Sequence, residues 1–165
     1  MFNRILVVCT GNICRSPVAE ALLKQALPDK QISSAGLGAV VGEGVEPKAR
    51  VLAENSGLEV RDHVSRQLTP QMLSEADLVL VMSEGQRQAV GRMAPEAMGK
   101  TMRLGHWLKS PQGESGVDIA DPFRKSEEYF ALIHEQLEAA VNAWLPKLGV
   151  RSPKRLAGAQ GSAVA

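Results

Sequence analysis

The sequence is poor in cysteine, in aromatic residues and in net charge. Its 165 residues include two cysteines, three phenylalanines, two tryptophans and one tyrosine, and the formal net charge is +1. Two cysteines are too few for the disulfide framework of a small secreted domain. A nearly neutral chain has no bulk attraction for nucleic acid or for an anionic membrane surface, so we expect no nucleic-acid partner.

Long hydrophobic segments are missing as well. The apolar run from Ile5 to Cys9 is too short for the core of a signal peptide and for a membrane span, which needs about 20 residues. We therefore expect a cytoplasmic protein without stable membrane insertion, present as a monomer or a weak oligomer.

Side chains that ligate metals are scattered along the chain. Cys9 and Cys14 form a C-x4-C pair, which matches neither the C-x2-C spacing of redox motifs nor the spacing of zinc sites. The three histidines, His63, His106 and His134, are far apart in sequence. We predict neither a metal site nor a cofactor. Because both cysteines lie in one short segment, reactivity explains them better than structural cross-linking.

The segment that contains both cysteines connects an apolar run to an amphipathic one. A short loop that ends at a helix N-terminus turns its backbone N–H groups inward and binds anions. The same field favours the thiolate form of Cys9 at the base of the loop, and Arg15 can close on an oxyanion through a bidentate contact. The alternative is a buried cysteine that acts as a small hydrophobe. We predict a phosphate-binding loop with Cys9 as nucleophile, formed by Cys9, Thr10, Gly11, Asn12, Ile13, Cys14, Arg15 and Ser16.

Three residues of this loop carry further expectations. Ser16 precedes Pro17 and is a suitable helix N-cap, while its hydroxyl can also donate a hydrogen bond to the Cys9 thiolate. Asn12 tolerates the left-handed backbone conformation that such a loop requires. Cys14 has two interpretations that stay open, an inert buried thiol or a reversible disulfide partner that protects Cys9 from overoxidation.

Apolar runs alternate with helical patterns along the whole chain. We predict strands over residues 4–9, 31–35, 77–82 and 100–104, and helices that begin near residues 17, 47, 70, 84 and 127. Thr69-Pro70 starts the third helix, Ser126 caps the last, and the last helix carries an apolar stripe at three- and four-residue steps. This alternation predicts an α/β fold, with one four-stranded parallel sheet and helices on both faces. The predicted domain spans residues 1–148, and the aperiodic residues 149–165 are predicted to be a flexible tail. Ligands bind beyond the carboxyl ends of such strands, which is where Cys9 lies.

The phosphate-binding loop resembles that of the low-molecular-weight protein tyrosine phosphatases. Further segments of the chain match the family in order and approximate separation, and the resemblance covers residues 1 to about 148. They are Ser34-Ala35-Gly36, His63 with Arg66-Gln67-Leu68, and Asp121-Pro122-Phe123-Arg124-Lys125-Ser126. The segments Ala35-Gly36-Leu37-Gly38 and Gly105-His106-Trp107 are most similar to the bacterial branch that acts on tyrosine autokinases controlling polysaccharide export.

The resemblance implies a phosphotyrosine phosphatase I-like fold. It also implies a phosphocysteine mechanism in which Arg15 stabilises the phosphoryl oxygens. Asp121 is then the general acid and later the base that activates water. From sequence alone Asp121 before Pro122 could equally be a turn or a helix cap, and Asp118 is its close competitor. The implied partner is a phosphotyrosine protein, in particular a tyrosine autokinase.

The resemblance also assigns supporting residues and the pocket walls. In the family, a serine and a histidine hold the loop asparagine, which implies Ser34 and His63 as partners of Asn12. We expect the pocket walls to be Ile13, Leu37 and Phe123, where Phe123 replaces a frequent tyrosine of the family. His106 and His134 are expected to have no role in the site.

Two other functions are compatible with the same loop. A thiol-dependent arsenate reductase on this fold passes oxidation to further cysteines, and the chain has no cysteine after Cys14. An inactive phosphotyrosine-binding module would not need Cys9, Arg15 and Asp121 together. Hydrolysis of a phosphate monoester is therefore the preferred prediction.

Overall fold

A computed structural model describes residues 2–150 of the chain. Its centre is a four-stranded parallel sheet in the order β2-β1-β3-β4. The strands are β1 (Arg4–Cys9), β2 (Gln31–Gly36), β3 (Leu78–Val81) and β4 (Thr101–Arg103). The α/β fold class and the parallel sheet predicted from the sequence are confirmed. The chain first adds β2 on one side of β1 and then β3 on the other, which opens a crevice at the carboxyl end of β1.

Five α-helices cover the two faces of the sheet. Helices α1 (Arg15–Ala26), α2 (Pro47–Asn55) and α5 (Glu127–Trp144) contact one another on one face. Helices α3 (Pro70–Glu75) and α4 (Glu84–Met93) pack on the other. Short 3-10 segments occupy Pro95–Lys100, Leu104–Trp107 and Leu145–Leu148.

The central strands are buried on both sides, which explains their continuous apolar sequences. Successive side chains of β1 alternate between the two faces, so that Ile5, Val7 and Cys9 join the core beneath α1 and α5. Leu6 and Val8 join the core beneath α3 and α4. Cys9 is thus the last residue of a rigid strand, and its backbone position is set by pairing with Gly36.

The start of α1 differs from the prediction. The helix begins at Arg15, its N-cap is Cys14, and no side chain caps it, so Ser16 as N-cap is wrong. The physical reason is competition, because the Ser16 hydroxyl is engaged by Cys9 and Asn12 instead. The predicted hydroxyl caps of the later helices are correct, since Thr69 accepts from Met72 N–H and Ser126 accepts from Tyr129 N–H.

The last helix buries the predicted apolar stripe against the sheet. Its α-helical part ends at Trp144, and a 3-10 turn continues to Leu148, followed by Gly149 in the left-handed conformation. Val150 donates to the Leu145 carbonyl and packs on the main core. Residues 151–165, most of the predicted tail, lie outside the described residues, and the domain boundary stays a prediction. Across residues 2–150, no helix has both the length and the apolar character that a bilayer crossing demands.

Asp77 ties the start of the sheet together, and this contact predicts a pH dependence. Its Oδ2 accepts hydrogen bonds from the backbone N–H groups of Asn3 and Arg4, both at 2.9 Å. These bonds hold the pKa of the Asp77 carboxyl below its ordinary value. The contribution to stability is therefore present above the unfolded-state pKa of about 3.9 and is lost as the pH falls through the folded-state value.

We expect Asp77→Asn to lower the urea midpoint at pH 7 and to have a smaller effect near pH 3. Urea unfolding followed by circular dichroism at both values measures the difference. Asp29→Asn, an exposed aspartate in the turn after α1, is the matched control and should leave the midpoint unchanged. An equal destabilisation by Asp77→Asn at both pH values would contradict the assignment.

Candidate active site

Hydrogen bonds from surrounding segments hold the backbone of the loop between β1 and α1, and each carbonyl from Cys9 to Ile13 accepts at least one of them. The carbonyls of Cys9, Thr10 and Gly11 accept hydrogen bonds from the N–H groups of residues 37, 38 and 40. The Ile13 carbonyl accepts from Glu46 N–H at 2.8 Å. The Asn12 carbonyl accepts from side chains, described below. Every carbonyl from Cys9 to Ile13 is therefore turned outward and satisfied.

This arrangement turns the N–H groups of the loop inward. In a trans peptide the N–H of one residue points opposite to the carbonyl of the residue before it. The N–H groups of residues 10–14 therefore converge on the space above Cys9. Among residues 2–150, no backbone hydrogen bond uses the N–H of Gly11, Asn12, Ile13 or Cys14. Such a set of unpaired donors at a helix N-terminus binds a tetrahedral oxyanion.

Gly36 allows the loop to lie close to β2. A Cβ added at Gly36 would lie 2.5 Å from the Thr10 carbonyl oxygen and 3.1 Å from Asn12 N. Both neighbours are in the phosphate-binding loop, so any side chain at position 36 would displace it. Gly36 also pairs with Cys9 across the sheet. The glycine in Ser34-Ala35-Gly36 is thus required by close approach of two backbones.

The Cys9 thiol lies at the floor of the loop. Cys9 is 2% exposed, and its Sγ is 2.8 Å from the Ser16 Oγ. Ser16 is completely buried. Its hydroxyl accepts from Asn12 Nδ2 at 2.8 Å, which leaves its own proton available to Cys9. The side chains that the sequence assigned to this floor are brought together here.

Asn12 is buried and has the left-handed conformation predicted from the sequence, with φ 59°. Its Oδ1 accepts from the backbone N–H of Arg66 at 3.0 Å, and this donor fixes which way the amide faces. The Nδ2 atom consequently donates to Ser16 and also to Ser34 Oγ at 2.9 Å. Because both polar atoms of the Asn12 amide are hydrogen bonded, these bonds compensate for the conformational free energy that the left-handed region costs a non-glycine residue.

His63 and Ser65 hold the Asn12 carbonyl. The Nε2 of His63 lies 2.7 Å from this oxygen, and because a carbonyl only accepts, Nε2 carries the proton. Ser65 Oγ donates to the same oxygen at 2.6 Å. His63 therefore contacts the loop through its backbone and lies on the far side of Asn12 from the thiol. Ser65, which is 1% exposed, was not predicted from the sequence.

Arg15 is buried and reaches the other side of the loop. Its Nη1 donates to the Ile119 carbonyl at 2.7 Å, and its Nη2 is 3.7 Å from Asp121 Oδ2. Its Nε is buried and has no hydrogen-bond partner in the described part of the chain. A buried guanidinium N–H without an acceptor is costly in a protein interior, so this atom fits a site that an oxyanion fills.

Asp121 lies at the rim of the site. Its side chain is 49% exposed, and Oδ1 accepts from the Phe123 N–H at 3.1 Å, which closes a tight turn. The residue two positions earlier is tied down twice, because Ile119 N–H donates to the Met82 carbonyl while its own carbonyl accepts from Arg15. Asp121 Oδ2 thus faces the loop from a backbone that is anchored to β3 and to Arg15.

Asp118, the competing carboxylate, is engaged elsewhere. Its Oδ1 accepts from the backbone N–H of Glu84 at 3.1 Å and from Arg103 Nη1 at 2.9 Å. These contacts tie the segment before Asp121 to the start of α4 and to the end of β4. The position of Asp118 explains how the rim is held in place and leaves Asp121 as the carboxylate next to Arg15.

Cys14 is a poor nucleophile in this environment. Burial, together with the negative charges of Glu46 and Asp121, raises the pKa of the Cys14 thiol to about 12. Cys14 therefore stays protonated at neutral pH. Disulfide formation proceeds by attack of a thiolate, so the inert interpretation is favoured over the protective one, which stays a prediction.

The predicted pocket walls occupy three different loops. Ile13 is half-buried in the phosphate-binding loop and packs against the main core. Leu37 is half-buried after β2 and packs against the core on the opposite face of the sheet. Phe123 is 43% exposed beside Asp121, with the Arg124 guanidinium over its ring at 5.4 Å.

Several residues of the site were missed by the sequence analysis. Arg66 acts through its backbone N–H, and Ser65 and Glu20 are polar residues without a distinctive spacing. Gln86 of α4 accepts from Met82 N–H and donates to Thr10 Oγ1 at 3.2 Å. Gln86 stands in the stretch Glu84-Gly85-Gln86-Arg87-Gln88, where a polar residue among polar neighbours does not indicate a contact with the loop.

The remaining histidines lie away from the thiol. His134 of α5 is 3.0 Å from Ser56 Oγ, and burial lowers its pKa. His106 packs edge-on against Trp107. Among residues 2–150, no three side chains of histidine, cysteine, aspartate or glutamate come together as a possible metal site.

Solved structures of similar overall shape carry phosphatase names. The chain is 46% identical to the tyrosine phosphatase AmsI of Erwinia amylovora, with a TM-score of 0.83 over 89% of this chain and 93% of the other. It is 45% identical to the tyrosine phosphatase Wzb of Escherichia coli K30 in complex with sulphate, with a TM-score of 0.85 over 90% of this chain and all of the other.

A third similar structure has a different specificity in its name. The YwlE arginine phosphatase of Geobacillus stearothermophilus is 34% identical, with a TM-score of 0.81 over 92% of this chain and 95% of the other. The family model for low molecular weight phosphotyrosine protein phosphatases matches residues 4–154. The loop geometry, the sheet order and these similarities show that the chain belongs to the low molecular weight phosphotyrosine protein phosphatase family.

Proposed function

We propose that the protein hydrolyses phosphotyrosine through a phosphocysteine intermediate formed on Cys9. The observation that carries this proposal is the position of the Cys9 thiol beneath a ring of inward N–H groups, with the unpartnered Arg15 Nε beside it. Such a site holds a phosphate dianion directly above a nucleophile. The sulphate complex of the similar Wzb phosphatase supports the same ligand chemistry for this loop.

In the first step, the Cys9 thiolate attacks phosphorus in line with the bond to the phenolic oxygen. The S–P bond forms as the P–O bond breaks, and the negative charge on the equatorial oxygens is stabilised by the loop N–H groups and Arg15. The Ser16 hydroxyl, 2.8 Å from Sγ, stabilises the thiolate before attack. Asp121 gives its proton to the departing phenolate, which leaves as tyrosine.

In the second step, water attacks the phosphocysteine from the side that tyrosine has left. The Asp121 carboxylate takes a proton from this water while the water oxygen forms a bond to phosphorus. The S–P bond breaks, the Cys9 thiolate is restored, and inorganic phosphate departs. The distance of 3.7 Å between Arg15 Nη2 and Asp121 Oδ2 supports a shared site for binding and proton transfer.

The walls favour an aryl phosphate over a phosphoguanidinium. Ile13, Leu37 and the ring of Phe123 offer apolar surface, which suits a phenyl group. The guanidinium of phosphoarginine would instead lose hydration against such walls without gaining hydrogen bonds. Phosphotyrosine is therefore the proposed substrate rather than the phosphoarginine suggested by the name of YwlE.

The proposed partner is a cytoplasmic tyrosine autokinase of a polysaccharide-export system. The proposal is supported by the sequence resemblance to the bacterial branch of the family and by the likeness to AmsI and Wzb. The rim beside Asp121 carries Arg124 and Lys125, and Lys48 Nζ donates to the Lys125 carbonyl. These positive charges suit acidic residues around a phosphotyrosine.

Cys9→Ser should abolish turnover of p-nitrophenyl phosphate while phosphate binding survives, because the cradle stays intact and only the nucleophile is lost. Absorbance assays at saturating substrate and titration calorimetry with inorganic phosphate measure the two properties. Cys14→Ser is the matched control, and we expect it to retain turnover. An active Cys9→Ser variant would rule out the phosphocysteine route.

Asp121→Asn should slow phenyl phosphate hydrolysis by roughly two to four orders of magnitude, because phenolate then leaves unprotonated. The loss should be much smaller for 2,4-dinitrophenyl phosphate, whose leaving group is weakly basic. Comparing kcat/KM for the two substrates isolates the acid step, because the later hydrolysis of the phosphocysteine, which also uses Asp121, does not enter this ratio. The control Asp118→Asn should affect both substrates alike; a leaving-group dependence there instead would move the acid to Asp118.

We expect a phosphotyrosine peptide to be hydrolysed with a kcat/KM at least about 100-fold above that of the same peptide carrying phosphoarginine, a difference of about 2.7 kcal/mol. Phe123→Ala should reduce kcat/KM for the phosphotyrosine peptide through lost ring contact. Leu132→Ala, an exposed apolar residue of α5, is its control. Both peptides are assayed with EDTA present. Preferred hydrolysis of phosphoarginine would overturn the substrate assignment.

A further inference from the structure

A continuous chain of hydrogen bonds leads from the nucleophile to a cleft on the surface. It runs from Cys9 Sγ to Ser16 Oγ, from Ser16 to Asn12 Nδ2, and from Asn12 to Ser34 Oγ. Ser34 Oγ then donates to Glu20 Oε1 at 2.5 Å. Glu20 lies on α1 and lines an open cleft of about 590 Å³ behind the phosphate-binding loop. The catalytic proposal does not use Glu20.

The donor and the acceptor of each bond made by Asn12, Ser34 and Glu20 are determined. A backbone N–H can only donate, so Arg66 N–H fixes Asn12 Oδ1 as acceptor and Nδ2 as donor to both serines. Ser34 therefore accepts from Asn12, and its own proton needs another acceptor. A carboxylate can only accept, and Glu20 supplies one. Ser16 accepts from Asn12 Nδ2, and its own proton is directed to Cys9 when Cys9 is a thiolate, which can only accept.

The Glu20 carboxylate is held as an anion in position. Its other oxygen, Oε2, lies 2.6 Å from Lys24 Nζ, one helical turn further along α1. The Glu20 side chain is 16% exposed, while that of Lys24 is 56% exposed. The short distance from Ser34 Oγ to Glu20 Oε1 is typical of a hydroxyl that donates to an ionised carboxylate.

We propose that Glu20 is a positioning residue for the reaction, the terminal acceptor that keeps Ser34, Asn12 and Ser16 in the donor order that presents a proton to Cys9. Without an obligate acceptor at position 20, the Ser34 hydroxyl is free to turn its proton toward Asn12 and compete with the Nδ2 donor. Asn12 then shifts, and the Ser16 hydroxyl is no longer confined to the thiolate.

The proposed role and a purely electrostatic effect of Glu20 shift the ionisation of the Cys9 thiol in opposite directions. Removing a nearby anion favours a thiolate by Coulomb's law, so loss of the Glu20 charge alone would make Cys9 ionise at lower pH. Loss of the donor order does the opposite, because the thiolate then loses a hydrogen-bond donor. The two explanations predict shifts of opposite direction for one substitution.

The test measures the pH profile of Cys9 alkylation by iodoacetamide in Glu20→Gln, which removes the charge at nearly constant shape. We expect the profile to move to higher pH and the rate at pH 5.5 to fall about 3- to 10-fold, with equal rates at alkaline pH. Glu59→Gln, which removes a carboxylate from the same cleft, should leave the profile unchanged. An unchanged profile, or one shifted to lower pH, in Glu20→Gln overturns the proposal.

Other charged groups near these residues stay constant in that comparison. The cleft also contains Lys24, Arg61, Asp62, His63 and Arg66. Arg15 and Asp121 form an ion pair at the loop, and Cys14 interacts with both of them and with Cys9. Lys24→Met provides a second variant that weakens the ion pair yet keeps the acceptor. We expect it to shift the profile in the same direction by less than Glu20→Gln does.

A double-mutant cycle tests whether Glu20 acts through Ser34. In a Ser34→Ala background, Glu20→Gln should have no further effect on the profile, and additive effects would contradict the relay. The inference rests on the proposed role of Cys9 as nucleophile, but alkylation needs no turnover. An alkylation profile that behaves as expected in a catalytically dead protein would therefore count against the proposed function and not against Glu20.

Discussion

The site depends on one buried asparagine whose polar groups are all satisfied. Asn12 contributes its amide to Ser16, Ser34 and the Arg66 backbone, and its carbonyl to His63 and Ser65. Ser16 is four residues further along the chain, and the other contacts come from two segments that are distant in sequence, one at Ser34 and one at residues 63–66. They hold a left-handed residue in place, and that conformation turns the following peptide so that its N–H points into the cradle. An unsatisfied amide here would cost about 1–3 kcal/mol and would free the loop.

The rest of the fold serves to keep that loop in register. β1 lies between β2 and β3 and ends at Cys9, so the proposed nucleophile stands on a strand that is paired on both sides up to Val8. α1 begins within the loop, and no side chain caps it, which leaves its first N–H groups available to the anion of the proposed reaction. The same choice frees the Ser16 hydroxyl for the thiol. The Ser16 hydroxyl bonds to Cys9 and Asn12, and for the same reason it does not cap α1.

The sequence predicts the local features of this molecule well and the long-range polar contacts poorly. Continuous Ile, Leu and Val runs were sufficient to locate the buried strands, and hydroxyl residues before helical patterns located the caps at Thr69 and Ser126. Ser16 had the same local signal and was assigned wrongly, since tertiary partners took its hydroxyl. Ser65, Glu20 and the Arg66 backbone could not be identified, because their partners lie far away in sequence and carry no periodic signal.

The anchoring of Ile119 has a consequence for the depth of the pocket. Both backbone groups of Ile119 are hydrogen bonded, one to Met82 directly after β3 and one to Arg15, and Asp121 follows two residues later. The rim at Asp121 and the floor at Cys9 are therefore parts of one frame, which fixes the height between them. A phosphorylated side chain must be long enough to span this height before its own backbone meets the rim. In the proposed reaction this frame would act as a ruler that measures the reach of a phosphorylated residue and would discriminate against the short side chains of phosphoserine and phosphothreonine.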